Sequence, residues 1–429
     1  MIASATRRRV LAITLALGLL AAMTSSASAQ LSQPAVVSQT PAVNTPNLFG
    51  DTTIPKPAVY SLAQLGGTMF AGGTFHAIQN PPRTVTYTRF DLFSFSASTG
   101  ALSQTFGPKP NGPVWALAAS GTSLYVGGEF TTFNGVTRPG LAKVSVFTGA
   151  LDPNFKPVVV SSGDVKEIRL LNNRLIVGGS FPKHLAALDP TTGADTGYLN
   201  LGIAGTVASN AGPTHIYRFA VNPSGTRLVA LGNFTTVNGA SRARAFMVDM
   251  ASTVTALDPW YYQPLARMCN SPEIPGYLRD VDFSPDGTYF VFAATGSISR
   301  PGDNGSTVCD AAARFETADA APAKPTWINY TGGDTLLSVA VTGVAVYVNG
   351  HNRWLDNPLG HDSCGAGCTP RPGIGAIDPT SGKALAWNPT KTRGVGGRDL
   401  LATSTGLWVG SDGAMFNNKY HFGIAFVPL

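Results

Sequence analysis

The sequence has few charged residues and no run of like charges. Asp, Glu, Lys and Arg make up only 13% of the 429 residues, and the formal net charge is +6. Three arginines, Arg7 to Arg9, lie in an N-terminal segment that we expect to be removed, which lowers the charge to +3. So small a surplus, without a basic run, does not indicate a nucleic-acid partner.

Long apolar stretches are absent after the N-terminal region. The apolar stretch at residues 10–23 has 14 residues, short of the about 20 that a membrane-spanning helix needs. It follows the arginines and precedes Ala27-Ser28-Ala29, a pattern typical of signal-peptide cleavage. We predict a signal peptide over residues 1–29, exported by the general secretory or the twin-arginine route. The protein would then be secreted, extracellular or on the cell surface, with no retained membrane span.

Only four cysteines are present, and all follow the expected signal peptide. An even number outside the cytoplasm indicates disulfides. Of the three possible pairings we expect Cys269 with Cys309 and Cys364 with Cys368, because each pair then falls within one repeat unit. A zinc site is the alternative, but the sequence has no second Cys/His pair at zinc-finger spacing. We therefore expect no metal and no other cofactor.

The short signatures of common catalytic sites are also missing. The sequence has no Gly-x-Ser-x-Gly elbow, no His-Glu-x-x-His and no phosphate-binding Gly-Lys-Ser/Thr loop. No long segment after the signal has the 3.6-residue period of a helix. Glycine and proline are abundant instead, with 48 and 31 residues. This composition is typical of short strands joined by tight turns.

The most informative feature is an internal repeat, an apolar run that ends in Gly-Gly-x-Phe. Three full copies begin at Met69, Leu124 and Leu175, and four degenerate copies begin at Leu228, Tyr289, Val346 and Leu407. The copies start 51 to 61 residues apart, so seven units fill nearly all of the chain after the signal.

Each unit predicts four short antiparallel strands, with Pro- or Gly-containing turns between them. One such sheet cannot bury both faces alone, so neighbouring sheets must stack on it. We predict an all-β chain with a single seven-bladed β-propeller of four-stranded antiparallel blades over residues 47–429. The last unit lacks a fourth strand, and we expect the N-terminal extension, residues 30–46, to contribute the closing strand. The Gly pair predicts that the second strands converge at the crowded centre.

The repeat is most complete at residues 127–135, 138–142 and 148–153, which contain Gly-Gly-Glu-Phe, Asn-Gly and Thr-Gly-Ala-Leu-Asp-Pro. There the chain resembles secreted bacterial propellers of the delta-60 repeat type, well over units one to four and partly over units six and seven. Residues 349–354 and 406–410 also resemble actinobacterial cell-surface proteins built from such repeats. The resemblance implies a propeller fold and an extracellular setting, but no particular reaction.

Unit six departs from the other units in the loop after its second strand. His351, Arg353 and Trp354 stand where other units have Thr-Thr-x-Asn, and His361 follows in a long loop. Arginine can hold a carboxylate, tryptophan offers a flat face to a sugar ring, and histidine exchanges protons near neutral pH. The alternative is that these side chains only pack a disulfide-stapled loop. The predicted ligand-binding residues are His351, Arg353, Trp354, His76, Arg393 and Arg398.

We predict a monomeric extracellular recognition module that binds a cell-envelope glycan or a surface protein. The alternative is a glycan-active enzyme, a polysaccharide lyase or a glycoside hydrolase, with its site near His351. In that case His351 or His361 would be the catalytic base, and nearby arginines would hold the substrate carboxylate. The sequence alone does not decide whether the protein is an enzyme.

Overall fold

The computed structural model describes residues 31–50, 54, 56–207, 212–267, 269, 278–296, 307–319 and 321–429. The expected signal peptide lies outside the described residues. The described chain is all-β, as predicted, with a single 3₁₀ turn at Gln263–Ala266 and no α-helix. None of its helical segments is long and apolar enough to cross a membrane.

Seven antiparallel sheets of three or four strands follow one another along the described chain. Their first strands are Ala58–Leu65, Val114–Ser120, Val165–Leu171, His215–Val221, Leu278–Phe283, Leu336–Val341 and Gly397–Thr403. Their second strands are Thr68–Thr74, Ser123–Gly128, Arg174–Gly179, Arg227–Asn233, Tyr289–Ala294, Val346–Gly350 and Gly406–Ser411. Their third strands are Leu92–Ser96, Leu141–Ser145, Leu185–Leu188, Ala245–Asp249, Ala311–Glu316, Ile374–Ile377 and Ile424–Pro428.

A fourth strand is formed in two of these sheets, the fourth and the fifth, by Ala256–Leu257 and Trp327–Tyr330. In four other sheets the fourth strand is reduced to one bridged residue pair. These pairs are Phe95 with Leu102, Val144 with Leu151, Leu188 with Asp195, and Ile377 with Ala384.

Short hairpins and bridging strands project from the loops around the second and third strands. They are Asn47–Leu48 with Ala77–Gln79 and Thr86–Thr88; Thr132–Phe133 with Val136–Thr137; Ile203–Ala204 with Thr236–Val237 and Ala240–Ser241; Trp354–Leu355 with Thr369–Pro370; and Met415–Phe416 with Lys419–Tyr420.

The seven sheets contact one another in a closed cycle. Each first strand contacts the first strand of the next sheet, and the seventh, Gly397–Thr403, contacts the first, Ala58–Leu65. The apolar core is divided in the same way into seven clusters, one between each consecutive pair of sheets. In the cluster that joins the seventh sheet to the first, the rings of Trp408 and Phe95 lie 5.6 Å apart. The first strands are therefore innermost, and each sheet buries both faces against its neighbours.

The Gly-Gly pair lies against first strands, not against other second strands as the sequence led us to expect. A Cβ atom at Gly73 would collide with the backbone carbonyl oxygen of Ala58 in its own sheet. A Cβ atom at Gly72 would collide with Val114 in the first strand of the next sheet. Both positions are glycine because two first strands pack against the second strand, one from its own sheet and one from the next.

The N-terminal extension runs beside the third strand of the seventh sheet. The backbone N–H groups of Ser38 and Ala42 donate to the carbonyl oxygens of Pro428 and Phe426, at 2.7 and 2.8 Å. Val37 is buried in the cluster between the sixth and seventh sheets. The indole N–H of Trp387 donates to the carbonyl oxygen of Ser38 at 2.9 Å. The extension thus occupies the place where the seventh sheet has no fourth strand of its own.

Two disulfides belong to the fifth and sixth sheets. Cys269 is bonded to Cys309, with Cα atoms 6.0 Å apart, and Cys364 is bonded to Cys368, with Cα atoms 5.6 Å apart. The first joins the loops that precede the first and third strands of the fifth sheet. The second lies in the long loop of the sixth sheet.

Candidate functional site

Each of the seven first strands carries a β-bulge at the same place. In the first sheet Val59 pairs with Gly73 and Ser61 with Gly72, which leaves Tyr60 between them without a partner in the ladder. The other six sheets show the same shift. A bulge takes one residue out of the pairing and re-aims its side chain. The seven bulged residues are Tyr60, Trp115, Lys166, Tyr217, Arg279, Leu337 and Arg398.

All seven bulged residues line one cavity, which we call the central cavity. Its volume is about 220 Å³, and Arg218 completes its lining. Because the first strands are innermost and contact one another in a cycle, this cavity lies on the axis of the fold. Six of the seven bulged side chains keep partial solvent exposure, so the cavity is accessible.

Cations and aromatic rings lie side by side in this lining. Three cations lie over aromatic rings, at charge-to-centroid distances of 4.9 to 5.2 Å: Lys166 over Trp115, Arg279 over Tyr217, and Arg398 over Tyr60. The rings of Tyr60 and Trp115 also contact each other, with centroids 4.5 Å apart. Each of the three cations therefore has the face of an aromatic ring as a neighbour.

The cations differ in how far their charge is compensated. Lys166 forms an ion pair with Asp164 at 2.6 Å, and Arg279 donates to the hydroxyl of Tyr217 at 2.5 Å. The side chain of Arg398 has no ion pair or hydrogen bond within the described residues, and its Nε is buried without a partner. The indole nitrogen of Trp115 is likewise buried without a partner. Both atoms are shielded from solvent, so what the cavity itself offers a ligand is the guanidinium charge of Arg398, which has no counter-charge within the described residues.

The residues that follow the bulges form a second ring, which links successive sheets. Asp280 accepts a hydrogen bond from the N–H of Val339 in the next sheet at 2.9 Å. Asp399 accepts one from the N–H of Leu62 at 2.6 Å, across the join between the seventh sheet and the first. The second ring consists of Ser61, Ala116, Glu167, Arg218, Asp280, Ser338 and Asp399.

Burial changes the pKa values of this second ring. It raises the pKa of Asp280 to about 7 and that of Asp399 to about 6, although Arg218 opposes both shifts. Burial would lower the pKa of Arg218, but Glu167, Asp280 and Asp399 together raise it above its ordinary value. Glu167 also receives a hydrogen bond from Arg218 at 2.7 Å. As the pH falls through 7 and 6, Asp280 and Asp399 become neutral, and the net charge of the second ring becomes more positive.

The lining residues of the central cavity that the structure describes include no histidine, cysteine, serine or carboxylate, but they do include Lys166 and two tyrosines. In the described part of the chain, no group of three or more His, Cys, Asp or Glu side chains is placed to hold a metal ion. Arginine donors and aromatic faces are the groups that bind an anionic ring-shaped ligand.

Three of the residues predicted in unit six meet at a carboxylate that sequence analysis missed. Asp334 is buried and accepts hydrogen bonds from Arg353 at 2.9 Å and from Arg393 at 3.1 Å. The Nδ1 atom of His351 lies 3.9 Å from the same carboxylate. Arg353 also pairs with Asp362. The two arginines are thus balanced by two aspartates, which leaves no surplus charge for a substrate carboxylate.

Burial lowers the pKa of His351, and Arg393 adds to this shift while Asp334 opposes it. The histidine is therefore neutral at neutral pH, as a general base must be. His361, the other candidate base, is exposed and lies in the disulfide loop.

The remaining predicted residues lie apart from one another. The guanidinium of Arg353 stacks over the ring of Trp354, 4.3 Å from its centroid. His76 lies beside Phe90, with ring centroids 5.0 Å apart, in the loop of the first sheet. Arg398 lines the central cavity. The structure thus brings His351, Arg353 and Arg393 together at Asp334, and places Arg398 in the central cavity and His76 in the loop of the first sheet.

Six of the seven bulged residues were not among the predicted site residues, although the sequence contains a signal for the bulges. In every first strand, two residues separate an apolar residue or glycine from the next apolar residue. Examples are Val114-Trp115-Ala116-Leu117 and Val165-Lys166-Glu167-Ile168. An alternating strand would separate inward residues by one position, so two intervening residues indicate a bulge.

Comparisons with known proteins agree with this architecture. Residues 123–155 match the model of a family described as "Domain of unknown function (DUF5122) beta-propeller". A comparison with curated proteins finds no match.

Several solved structures are similar over most of the chain. Hydrazine synthase of Kuenenia stuttgartiensis is 13% identical, with a TM-score of 0.52, over 88% of this chain and 97% of its own. U3-55K is 11% identical, with a TM-score of 0.53, over 91% of this chain and 100% of its own. The WD40 repeats of RRP9 are 11% identical, with a TM-score of 0.50, over 95% and 100%. At this identity the likeness shows the fold alone. The chain has a propeller-like all-β fold, and its residues 123–155 match a β-propeller family model.

Proposed function

We propose that residues 47–429 form a single seven-bladed β-propeller in which each of the seven sheets is one blade. The closed cycle of first-strand contacts supports this number, as do the seven apolar clusters between consecutive sheets. The hydrogen bonds of Ser38 and Ala42 support closure of the ring by the extension at residues 30–46. Closure matters for function because it creates the axial cavity.

We further propose that the protein is a non-catalytic, monomeric recognition module that binds the end of an extracellular glycan in the central cavity. The observation that carries this proposal is the ring of seven bulged residues around one accessible cavity. β-Propellers commonly present ligands to the mouth of their central channel, and a recessed cavity suits the end of a chain better than a flat protein surface. The extracellular setting is part of the proposal, and the two disulfides are compatible with it.

The enzyme alternative has less support. A lyase needs a free cation to hold the substrate carboxylate, whereas Arg353 and Arg393 both bond to Asp334. The neutral His351 is the one feature that favours it. The cluster is better explained as a polar junction that fixes the long loop of the sixth sheet.

A glycan array tests this proposal when wild type is compared with two tryptophan variants. Trp115→Ala removes an aromatic wall of the central cavity, and Trp354→Ala, the matched control, removes the partly buried tryptophan of unit six. We expect Trp115→Ala alone to lose the signal. Loss in Trp354→Ala alone would move the site to unit six. Shortening of a polysaccharide by the wild type, absent in His351→Ala, would overturn the non-catalytic reading.

A further inference from the structure

The charge and shape of the central cavity bear on which ligand it takes. Resting on the proposed function, we infer that the ligand is a single six-membered ring that carries a carboxylate, as in the terminal uronic acid of a glycan. Three independent features of the cavity point to this chemistry: its size, its unbalanced positive charge and its aromatic walls.

The size of the cavity limits the ligand to about one ring. Its volume of about 220 Å³ lies below the roughly 300–1,000 Å³ of sites that enclose drug-sized molecules. A monosaccharide fits such a space, and a longer oligosaccharide must extend out of it into solvent.

The unbalanced positive charge calls for an anion. Among the described residues no carboxylate lines the cavity, whereas Lys166, Arg218, Arg279 and Arg398 all do. Lys166 and Arg218 are paired with Asp164 and Glu167. Arg398 has no ion pair within the described residues, and its guanidinium lies over the ring of Tyr60. A ligand carboxylate would supply the missing counter-charge through charge-assisted hydrogen bonds.

The aromatic walls call for a ring and not for a bare anion. Tyr60, Trp115 and Tyr217 contribute three of the eight lining side chains. Inorganic phosphate would satisfy Arg398 but would leave these apolar faces in contact with water. A neutral sugar would stack on the faces but leave the guanidinium without a counter-charge. A ring with one carboxylate uses both features.

Isothermal titration of the mature protein with four small molecules tests the inference. D-Glucuronate is the expected ligand, and D-glucose, inorganic phosphate and 4-hydroxybenzoate each omit or replace one feature. We expect D-glucuronate to bind at least about tenfold more tightly than glucose or phosphate, because hydrogen bonds to a charged group are worth that much or more. If 4-hydroxybenzoate binds as tightly as D-glucuronate or more tightly, the cavity prefers an aromatic carboxylate to a sugar carboxylate, and the uronic acid inference is wrong.

Two arginine variants locate the binding. Arg398→Gln should weaken D-glucuronate binding by about tenfold to a hundredfold. Arg174→Gln is the matched control, because Arg174 also stacks on a tyrosine, 4.0 Å from the ring of Tyr198, but does not line the cavity. It should bind as the wild type does.

Each contrary result has a separate meaning. If glucose binds as tightly as glucuronate and Trp115→Ala abolishes both, the central cavity is the glycan site but the carboxylate inference is wrong. If phosphate binds as tightly as glucuronate, the cavity binds an anion without recognising a sugar ring. If no carboxylate binds to the wild type, the inference fails, and the array decides separately whether the proposed function fails with it.

Discussion

The pH dependence of stability provides a sharp test of the electrostatics around the cavity. Asp399 has a folded-state pKa of about 6 because burial disfavours its charged form. An unfolded chain gives an aspartate a pKa of about 3.9. The unfolded state therefore loses this proton first as the pH rises. The resulting destabilisation is absent below pH 4, grows between pH 4 and 6, and is complete above pH 6.

The size of this effect follows from the pKa difference of about two units. At 1.36 kcal/mol for each unit it corresponds to at most about 3 kcal/mol. Because Asp399 as a whole residue keeps partial solvent exposure, the realised value is about 1–3 kcal/mol. Asp399→Asn mimics the protonated form and retains an oxygen that can accept from the N–H of Leu62. The variant should match the wild type at pH 4 and exceed it by about 1–3 kcal/mol at pH 8.

Thermal unfolding of both proteins at pH 4 and pH 8 measures this difference. For a chain of this size, about 1–3 kcal/mol corresponds to a rise of about 1–5 °C in the midpoint at pH 8. Asp189→Asn is a control of opposite sign, because backbone hydrogen bonds from a turn lower the pKa of Asp189. That variant should lose stability at pH 8, and the loss should become smaller as the pH falls below the ordinary pKa of an aspartate. A lower midpoint for Asp399→Asn at pH 8 would show that attraction to Arg218 outweighs burial and would refute this reasoning.

Three further predictions concern the fold. Gly73→Ala should lower the unfolding free energy by several kcal/mol, because its Cβ collides with the first strand of the same sheet. Gly67→Ala should be nearly neutral, because its Cβ meets nothing within 4 Å. Equal denaturant midpoints for the two variants would contradict the steric argument. If the N-terminal extension closes the ring, Val37→Ala should cost about 1–3 kcal/mol and Val43→Ala, 73% exposed, almost nothing, as judged by denaturant midpoints. Non-reducing peptide mapping should yield the two disulfides described above, and a peptide that joins one pair to the other would contradict them.

The all-β class and the order of the sheets could be predicted from the repeat alone. Apolar runs of five to seven residues between turns determine buried strands locally. Even the fifth sheet, whose second strand Tyr289–Ala294 has no glycine pair, follows the same order.

The fourth strands were harder to predict, because only two of the seven sheets form one. Elsewhere the segment is reduced to one bridged pair, as at Leu151 and Ala384. Proline does not account for the difference, because Pro259 follows the fourth strand Ala256–Leu257 at the same spacing as Pro153 follows Leu151.

The candidate site was largely beyond sequence analysis. Arg398 was identified, but Tyr60 and Trp115 were not, because the spacing within a first strand indicates a bulge but not that the seven bulged side chains meet at one cavity. Asp334 was missed for a similar reason, since it lies 59 residues before Arg393 in the chain. Contacts of that separation depend on how neighbouring sheets pack.

The seven bulges also bear on how such a protein can change over evolution. A residue outside the ladder supplies no strand pairing, so its side chain can be replaced without rebuilding the sheet that carries it. The lining of the cavity therefore amounts to seven variable positions on a constant frame. Relatives with other residues at positions 60, 115, 166, 217, 279, 337 and 398 would keep the architecture and recognise other molecules. The same seven positions offer a place to graft new specificities by design.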